Sequence, residues 1–312
     1  MRRSWKIVET RKDSRLSGHT QAMNQQWHVT VVVDNTARNR NLLAEHGLCF
    51  WINAGDQQIL FDTGQGMALQ HNARSLGIEL AGANAIALSH GHYDHTGGLV
   101  EAWTLPDRMP LYLHPTALAV RYRVSGGTTK EVSMPRPVRE WVAYHMTSLH
   151  YTHQPTEIAP GIWLTGYVPR HHPEEAAEPE PFFLDPNGQQ RDSLVDDQAL
   201  YLVTSTGVIV LLGCAHAGVI NTLDYIRDLT GYAPLRAVIG GMHLRAVSTA
   251  RLVWTVAQLQ RLDPVILVPA HCTGALATEA LAAAFGDRCR LCGAGATFDF
   301  ANGTVPTTQK EK

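Results

Sequence analysis

Cysteine is scarce: Cys49, Cys214, Cys272, Cys289 and Cys292 are scattered through 312 residues. A sparse, odd set argues against a disulfide framework and predicts a reducing compartment, the cytoplasm. Cys289 and Cys292 form one C-R-L-C with no second pair, so two ordinary thiols are expected there. Charge of one sign is also lacking, with 26 Lys and Arg against 28 Asp and Glu. That balance excludes bulk attraction to nucleic acid or an anionic membrane. No apolar run approaches the roughly 20 residues of a membrane helix. Val208 to Leu212, the most apolar short stretch, reads as a buried strand. The basic start (Arg2, Arg3, Lys6, Arg11, Lys12, Arg15) is followed by no apolar core of a secretory signal. Residues 1–26 are expected to be a poorly ordered extension, 27–305 a single domain and 306–312 a tail.

Histidine, by contrast, is abundant. There are 16, enough to make metal binding worth asking about, since imidazole is the commonest protein ligand to metals. With 45% hydrophobic residues the chain can also bury a large core. Patterning predicts strands over His28 to Val33, Leu48 to Asn53 and Gln58 to Asp62, the last two as a hairpin. It predicts a helix over Met67 to Leu76 and a short buried strand over Ala85 to Ser89. Leu111 to His114 reads as a strand, and Ser125 to Pro137 as a loop. Residues 169–192, rich in Pro and Glu, read as a surface excursion or a lid. Beyond them the pattern is regular. Strands Gln198 to Thr204 and Val208 to Leu212 flank a turn at Ser205-Thr206-Gly207. Strands Leu235 to Ile239 and Val265 to Val268 then alternate with helices Val219 to Leu229, Thr249 to Leu262 and Glu279 to Phe285. The expectation is an α/β (α+β) fold of two sheets with helices on their outer faces.

The chemistry concentrates in Ser89-His90-Gly91-His92-Tyr93-Asp94-His95-Thr96-Gly97-Gly98-Leu99. Four potential ligands fall within six residues, directly after a buried strand. His90 and His92, two apart in extended chain, point the same way. Asp94 and His95 sit on the turn into a helix. Imidazole suits Zn, Fe, Mn or Ni, and a carboxylate hardens the site. A His-rich surface loop would explain neither the preceding apolar strand nor the Thr-Gly-Gly-Leu that follows.

H-G-H-Y-D-H resembles the H-x-H-x-D-H motif of the metallo-β-lactamase superfamily. The resemblance implies an αββα sandwich with a metal centre at the sheet edges. Asp34-Asn35-Thr36, Glu45-His46-Gly47-Leu48, Phe61-Asp62-Thr63-Gly64, Gly213-Cys214-Ala215-His216-Ala217-Gly218 and His271-Cys272-Thr273-Gly274 are similar to one branch. That branch carries the label dihydropterin–ribofuranosylaminobenzene-phosphate synthase-like, and many members are known only as metal-dependent hydrolases. The likeness runs from about Val29 to Phe300.

Later strand ends must supply further ligands, and three loops qualify: Cys214 with His216, then His243, then His271. In the superfamily a distant His completes each metal's shell and an Asp bridges. His271 resembles the last superfamily ligand, and His216 is the next choice. P-G-H-T and T-G-D are both missing. Asp196-Asp197-Gln198 stands near the third motif, and Cys214 or His216 near the bridging Asp. The expected metal ligands are therefore His90, His92, Asp94, His95, His216 and His271, with Asp94 also catalytic. Asp62 is expected to orient a ligand His through its second ring nitrogen. His243, Cys214, Asp197, Tyr93 and Arg170 complete the candidates around the site, although core packing is the expected role of Tyr93. Arg121, Arg123 and Arg170 are weighed as phosphate-binding groups against solvated surface charges.

The cofactor expected is two divalent ions, zinc first, with manganese or iron as alternatives. The reaction expected is attack of a metal-activated water on a small ester, lactone or phosphoester. The competing readings are a pterin-related transferase and a metal-binding sensor or binding protein without turnover. The partner expected is a small-molecule substrate, with no nucleic acid and no membrane; an oligomer is compatible with the sequence.

Overall fold

The computed structural model describes residues 26–99, 109–145, 148–176 and 181–300. The expected extension, apart from residue 26, and the tail lie outside the described residues.

Seven strands make the first sheet, in the order Thr297–Phe300, Trp27–Val33, Cys49–Ala54, Gln57–Phe61, Ala85–Ala87, Leu111–Leu113, Leu149–Tyr151. Six make the second, in the order Ile266–Ala270, Leu235–Gly241, Gly207–Leu212, Leu200–Thr204, Ile162–Leu164, Thr156–Ala159. Alternation of side chains explains how the two sheets face each other. On Cys49–Ala54, Phe50 and Ile52 enter the core between the sheets, whereas Cys49 and Trp51 face outward. On Gly207–Leu212, Ile209 and Leu211 face inward, and Val208, Val210 and Leu212 face outward. Both faces are apolar because both are covered. Helices Leu69–Ser75 and Arg136–His145 cover the first sheet. Helices Val219–Leu229, Thr249–Leu262 and Ala275–Phe285 cover the second. Each large side chain so buried contributes about 1.5–3 kcal/mol. The result is the αββα sandwich the sequence implies.

Each sheet combines antiparallel pairing with parallel βαβ pairing. In the first, Gln57–Phe61, Ala85–Ala87 and Leu111–Leu113 run parallel. In the second, Gly207–Leu212, Leu235–Gly241 and Ile266–Ala270 do so. Parallel neighbours end at one edge, and that shared edge is where loops can carry a site.

The expected loop over Ser125 to Pro137 is a correction. Tyr122–Ser125 and Thr128–Glu131 form a hairpin turning at Gly126 and Gly127, both at positive φ. Two glycines between β-rich segments are the chemistry of a tight hairpin turn. The helix Arg136–His145 then starts inside the same stretch, with Pro137 in its first turn, where a missing N–H costs nothing. The hairpin pairs with Phe182–Phe183 and, through it, Arg191–Asp192, giving a small third sheet. Helix Ala275–Phe285 also begins four residues earlier than its apolar spacing suggests.

Candidate metal centre

Strand ends from both sheets deliver the polar groups. Asp62 follows Gln57–Phe61, and Ser89 to His95 follow Ala85–Ala87. Cys214 and His216, His243, and His271 follow the three parallel strands of the second sheet. Asp62, Ala215, His243 and His271 all adopt positive φ without being glycine. Such strain persists only where the surroundings over-determine it, and here it aims side chains into one pocket. The glycines after the ligand motif serve close approach. A Cβ on Gly97 would lie 2.2 Å from the Gln65 carbonyl oxygen, and one on Gly98 2.1 Å from that of Thr63.

The rear of three imidazoles, those of His95, His90 and His271, is fixed. Asp62 accepts hydrogen bonds from the Ser89 amide (2.7 Å), the Ser89 hydroxyl (2.7 Å) and His95 Nδ1 (2.7 Å). The Ser89 hydroxyl, having donated to Asp62, accepts from His90 Nδ1 at 2.9 Å. Asn35 Oδ1 accepts from His271 Nδ1 at 2.9 Å, and the Asn35 amide donates to the His271 carbonyl. Each of these three rings therefore turns its Nε2 forward, the atom that would offer a lone pair to a metal. The forward atoms crowd together. His95 Nε2 lies 3.2 Å from His271 Nε2 and 3.2 Å from Cys214 Sγ. Asp94 Oδ2 lies 3.4 Å from His271 Nε2 and 3.9 Å from His95 Nε2. His90 Nε2 lies 2.9 Å from His92 Nδ1.

Lone pairs and a carboxylate at these separations repel unless a cation lies among them. Donors about a four-coordinate ion with ~2.0 Å bonds stand ~3.3 Å apart, so the donor set fits divalent metal. Among the described residues four sets of ligand atoms lie within 4.8 Å of one another: His90–His92–His216, His46–Asp94–His271, His90–His95–Cys214 and Cys214–His243–Cys272. The first two form two groups, and His95, 3.9 Å from Asp94, links them through His90. The His216 ring centroid lies 4.9 Å from that of His90 and 5.0 Å from that of His92.

Electrostatics separates the two groups. Burial, reinforced by the neighbouring imidazoles, holds His90 and His92 well below their ordinary 6.5. Burial also disfavours a charge on His95, but Asp62 and Asp94 override it and push its pKa up to about 9. Asp94 is held well below the usual carboxylate range: burial opposes ionisation, and His95, His271 and His46 outweigh it.

The structure thus brings His90, His92, Asp94, His95, His216 and His271 to one pocket, with Asp62 behind His95. The His243 ring is tilted against that of His216, with centroids 4.3 Å apart. Asp197 is buried beside His216, and its Oδ2 accepts from the Ala217 amide at 2.9 Å. Its neighbour Asp196 is no ligand: it accepts from the Gly91 amide (2.8 Å) and pairs with both terminal nitrogens of Arg121 (2.7 Å each). Arg121, fully buried and also bonded to Asp192, fits neither role weighed for it, phosphate binder or solvated surface charge, and braces the ligand loop instead. Arg170 donates to the carbonyls of Ser193 and Leu194 and does not line the pocket. Tyr93 does line it, with its hydroxyl accepting from Lys130 at 3.2 Å, and its ring packs against Val132, Phe182 and Leu194 as expected, so it serves both the core and the pocket wall.

Other groups escaped the sequence reading. His46 Nε2 sits 3.1 Å from Asp94 Oδ2, although its motif was visible. Phe182, from the small third sheet, packs 4.6 Å from the His92 ring. Arg123, Lys130 and Arg245 line a cavity of about 140 Å³ in front of the ligands. Arg123 is one of the arginines weighed above as phosphate-binding groups; nothing local in the sequence marks Lys130 or Arg245.

Comparison with known proteins agrees with this geometry. A model of the metallo-beta-lactamase superfamily matches residues 43–153. An uncharacterized protein of Methanocaldococcus jannaschii is 32% identical over 251 residues, covering 79% of this chain and 90% of its own. From the same organism, 7,8-dihydropterin-6-methyl-4-(beta-D-ribofuranosyl)-aminobenzene-5'-phosphate synthase is 28% identical, over 78% of this chain and 86% of its own. Among solved structures, a metal-dependent hydrolase of the beta-lactamase superfamily matches with TM-score 0.74 and 29% identity, over 88% of this chain and all of that one. The YhfI protein of Bacillus subtilis, at TM-score 0.55 and 13% identity, shares the fold. The ligand-bearing strand ends, the sandwich that presents them and relatives alike over most of its length place this chain in the metallo-beta-lactamase superfamily.

Proposed function

We propose that the protein is a metal-dependent hydrolase acting on a small anionic ester, lactone or phosphoester. The observation that carries this reading is the forward convergence of imidazole nitrogens and the Asp94 carboxylate, with His90, His95 and His271 each fixed from behind. His90, His92 and His216 would hold one ion, and Asp94, His95 and His271 a second, with zinc the first choice. When bound, such ions acidify water and polarise the electrophile.

The chain's own groups supply the rest. Asp94 Oδ2 is the acceptor that orients the attacking water, and His46 at 3.1 Å is placed to pass a proton from the pocket to solvent. Lys130, Arg123 and Arg245 attract a negative substrate, while Phe182 and Tyr93 offer it apolar and ring surface. The cytoplasm is the proposed location, supported by five unpaired cysteines. Among the described residues no helix is long and apolar enough to cross a membrane.

A second reading is a pterin-related transferase, favoured by the 28% identity to the archaeal synthase over most of both chains. One experiment addresses both. Metal content is measured for the natural protein and for Asp94→Ala, His216→Ala and His271→Ala, followed by turnover of phosphodiesters, lactones and pterin phosphates with and without an acceptor amine. About two ions per chain, fewer in each variant, and hydrolysis without acceptor are the expected results. Turnover only with acceptor would replace hydrolase by transferase. A folded natural protein that takes up no Zn, Mn or Fe would sink both.

A further inference from the structure

Sulfur donors stand at the same pocket beside the imidazole and carboxylate groups. Cys214, His243 and Cys272 bring one ligand atom each within 4.8 Å of one another. They follow Gly207–Leu212, Leu235–Gly241 and Ile266–Ala270, three parallel neighbours whose ends lie side by side. Gly241 keeps the space open. A Cβ there would stand 2.7 Å from Cys272 Sγ and 3.3 Å from Cys214 Cα. The Cys272 thiol contacts the Cys214 carbonyl at 3.6 Å, and Cys214 Sγ meets His95 Nε2 at 3.2 Å. No cysteine in the chain is in a disulfide. Cys49 shows the ordinary alternative: it is fully buried among aliphatic and aromatic side chains and acts as a small hydrophobe. Cys214 and Cys272 instead face imidazoles.

We propose that Cys214, His243 and Cys272 form a sulfur-rich ligand set that makes the pocket selective for a thiophilic divalent ion of the zinc class over manganese or magnesium. Each thiol releases its proton to solvent as its sulfur takes the ion, and His243 contributes a nitrogen lone pair. Thiolate favours zinc-class ions, whereas carboxylate and water suit magnesium and manganese. Cys214, touching His95, is the group through which this set meets the Asp94–His95–His271 group. The inference rests on the pocket being a metal centre and adds which ions it prefers.

The test is titration of full-length, metal-free protein with Co2+ alone, read as near-ultraviolet thiolate-to-metal charge transfer and as bound metal. The unsubstituted protein is expected to give a saturating band that excess Mn2+ does not diminish. Cys214→Ser and Cys272→Ser should each cut the band by about half, because two sulfurs share it. Cys49→Ser and Cys292→Ser should leave it intact. Cobalt bound in stoichiometric amount without a thiolate band overturns the sulfur set and leaves the metal-centre reading standing, with no variant needed. A band lost in Cys292→Ser instead, or competed away by Mn2+, overturns it too. Failure to bind Co2+ or Zn2+ at all overturns both.

Discussion

The two groups of ligands differ in how they are held. His90 is backed by a neutral partner, the Ser89 hydroxyl, and His92 meets His90 through Nδ1. His95 is backed by the buried carboxylate of Asp62 and flanked by Asp94. Burial and neighbouring imidazoles therefore disfavour a charge on His90 and His92, whereas His95 retains its second proton up to about pH 9 when metal is absent. Burial alone does not decide protonation, since all these rings are buried. The nearest carboxylate does.

The most severe way to break the comparison is to remove a forward donor from each side. Asp94→Ala and His216→Ala should each lose about one ion and more than about 100-fold in turnover, exceeding the effect of an outer partner. Retention of both ions in either variant, measured by plasma mass spectrometry, would deny that side its ligand. Changing what stands behind the rings should sharpen it. Asp62→Asn is expected to weaken metal affinity by about 10–100-fold. Ser89→Ala, which removes one neutral hydroxyl, should cost about 1 kcal/mol, roughly fivefold. Equal losses from the two would mean the carboxylate has no special part.

Metal-free protein should show the difference as a function of pH. His90 and His92 have folded pKa values below 6.5, so the unfolded chain binds protons there that the folded one refuses. Their contribution is present above pH 6.5 and lost as pH falls through it. His95 behaves oppositely: its contribution is complete below 6.5 and disappears as pH rises toward about 9. Calorimetry of the metal-free chain should therefore find Tm falling on both sides of about pH 6.5, and Asp62→Asn should flatten the alkaline limb only. A limb that survives the substitution would assign it elsewhere. The smallest effect is expected outside both groups. Lys130→Ala and Arg245→Ala should raise KM a few-fold for an anionic substrate, with kcat little changed and the difference shrinking in salt. A fall in kcat instead would move these residues into the chemistry.

Legibility in the sequence follows the same division. His90, His92, Asp94 and His95 lie within six residues, and a strand end followed by a helix turn brings them together by local geometry alone. Asp62 was readable because F-D-T-G closes a predicted strand. His216 and His271 could be nominated as strand-end residues, but their meeting with the first group depends on two sheets facing each other. Asp196 illustrates the limit. In sequence it stands near a ligand motif, yet Arg121, 75 positions away, claims both its oxygens. The G-G hairpin at Gly126 was a local signal overlooked because Gly, Thr and Pro together suggested an irregular loop.

Sequence by itself determined the alternating strands, the helical coverings, the contiguous ligand motif and hence the family. These depend on periodicity and on near neighbours, which the order of residues contains. The tertiary structure alone decided which histidines face forward, which carboxylate braces and which approaches the pocket, and that Phe182 and three cations wall it. Those outcomes depend on distances between residues remote in the chain, set only when the two apolar sheet faces pack and bring their strand ends to a common edge.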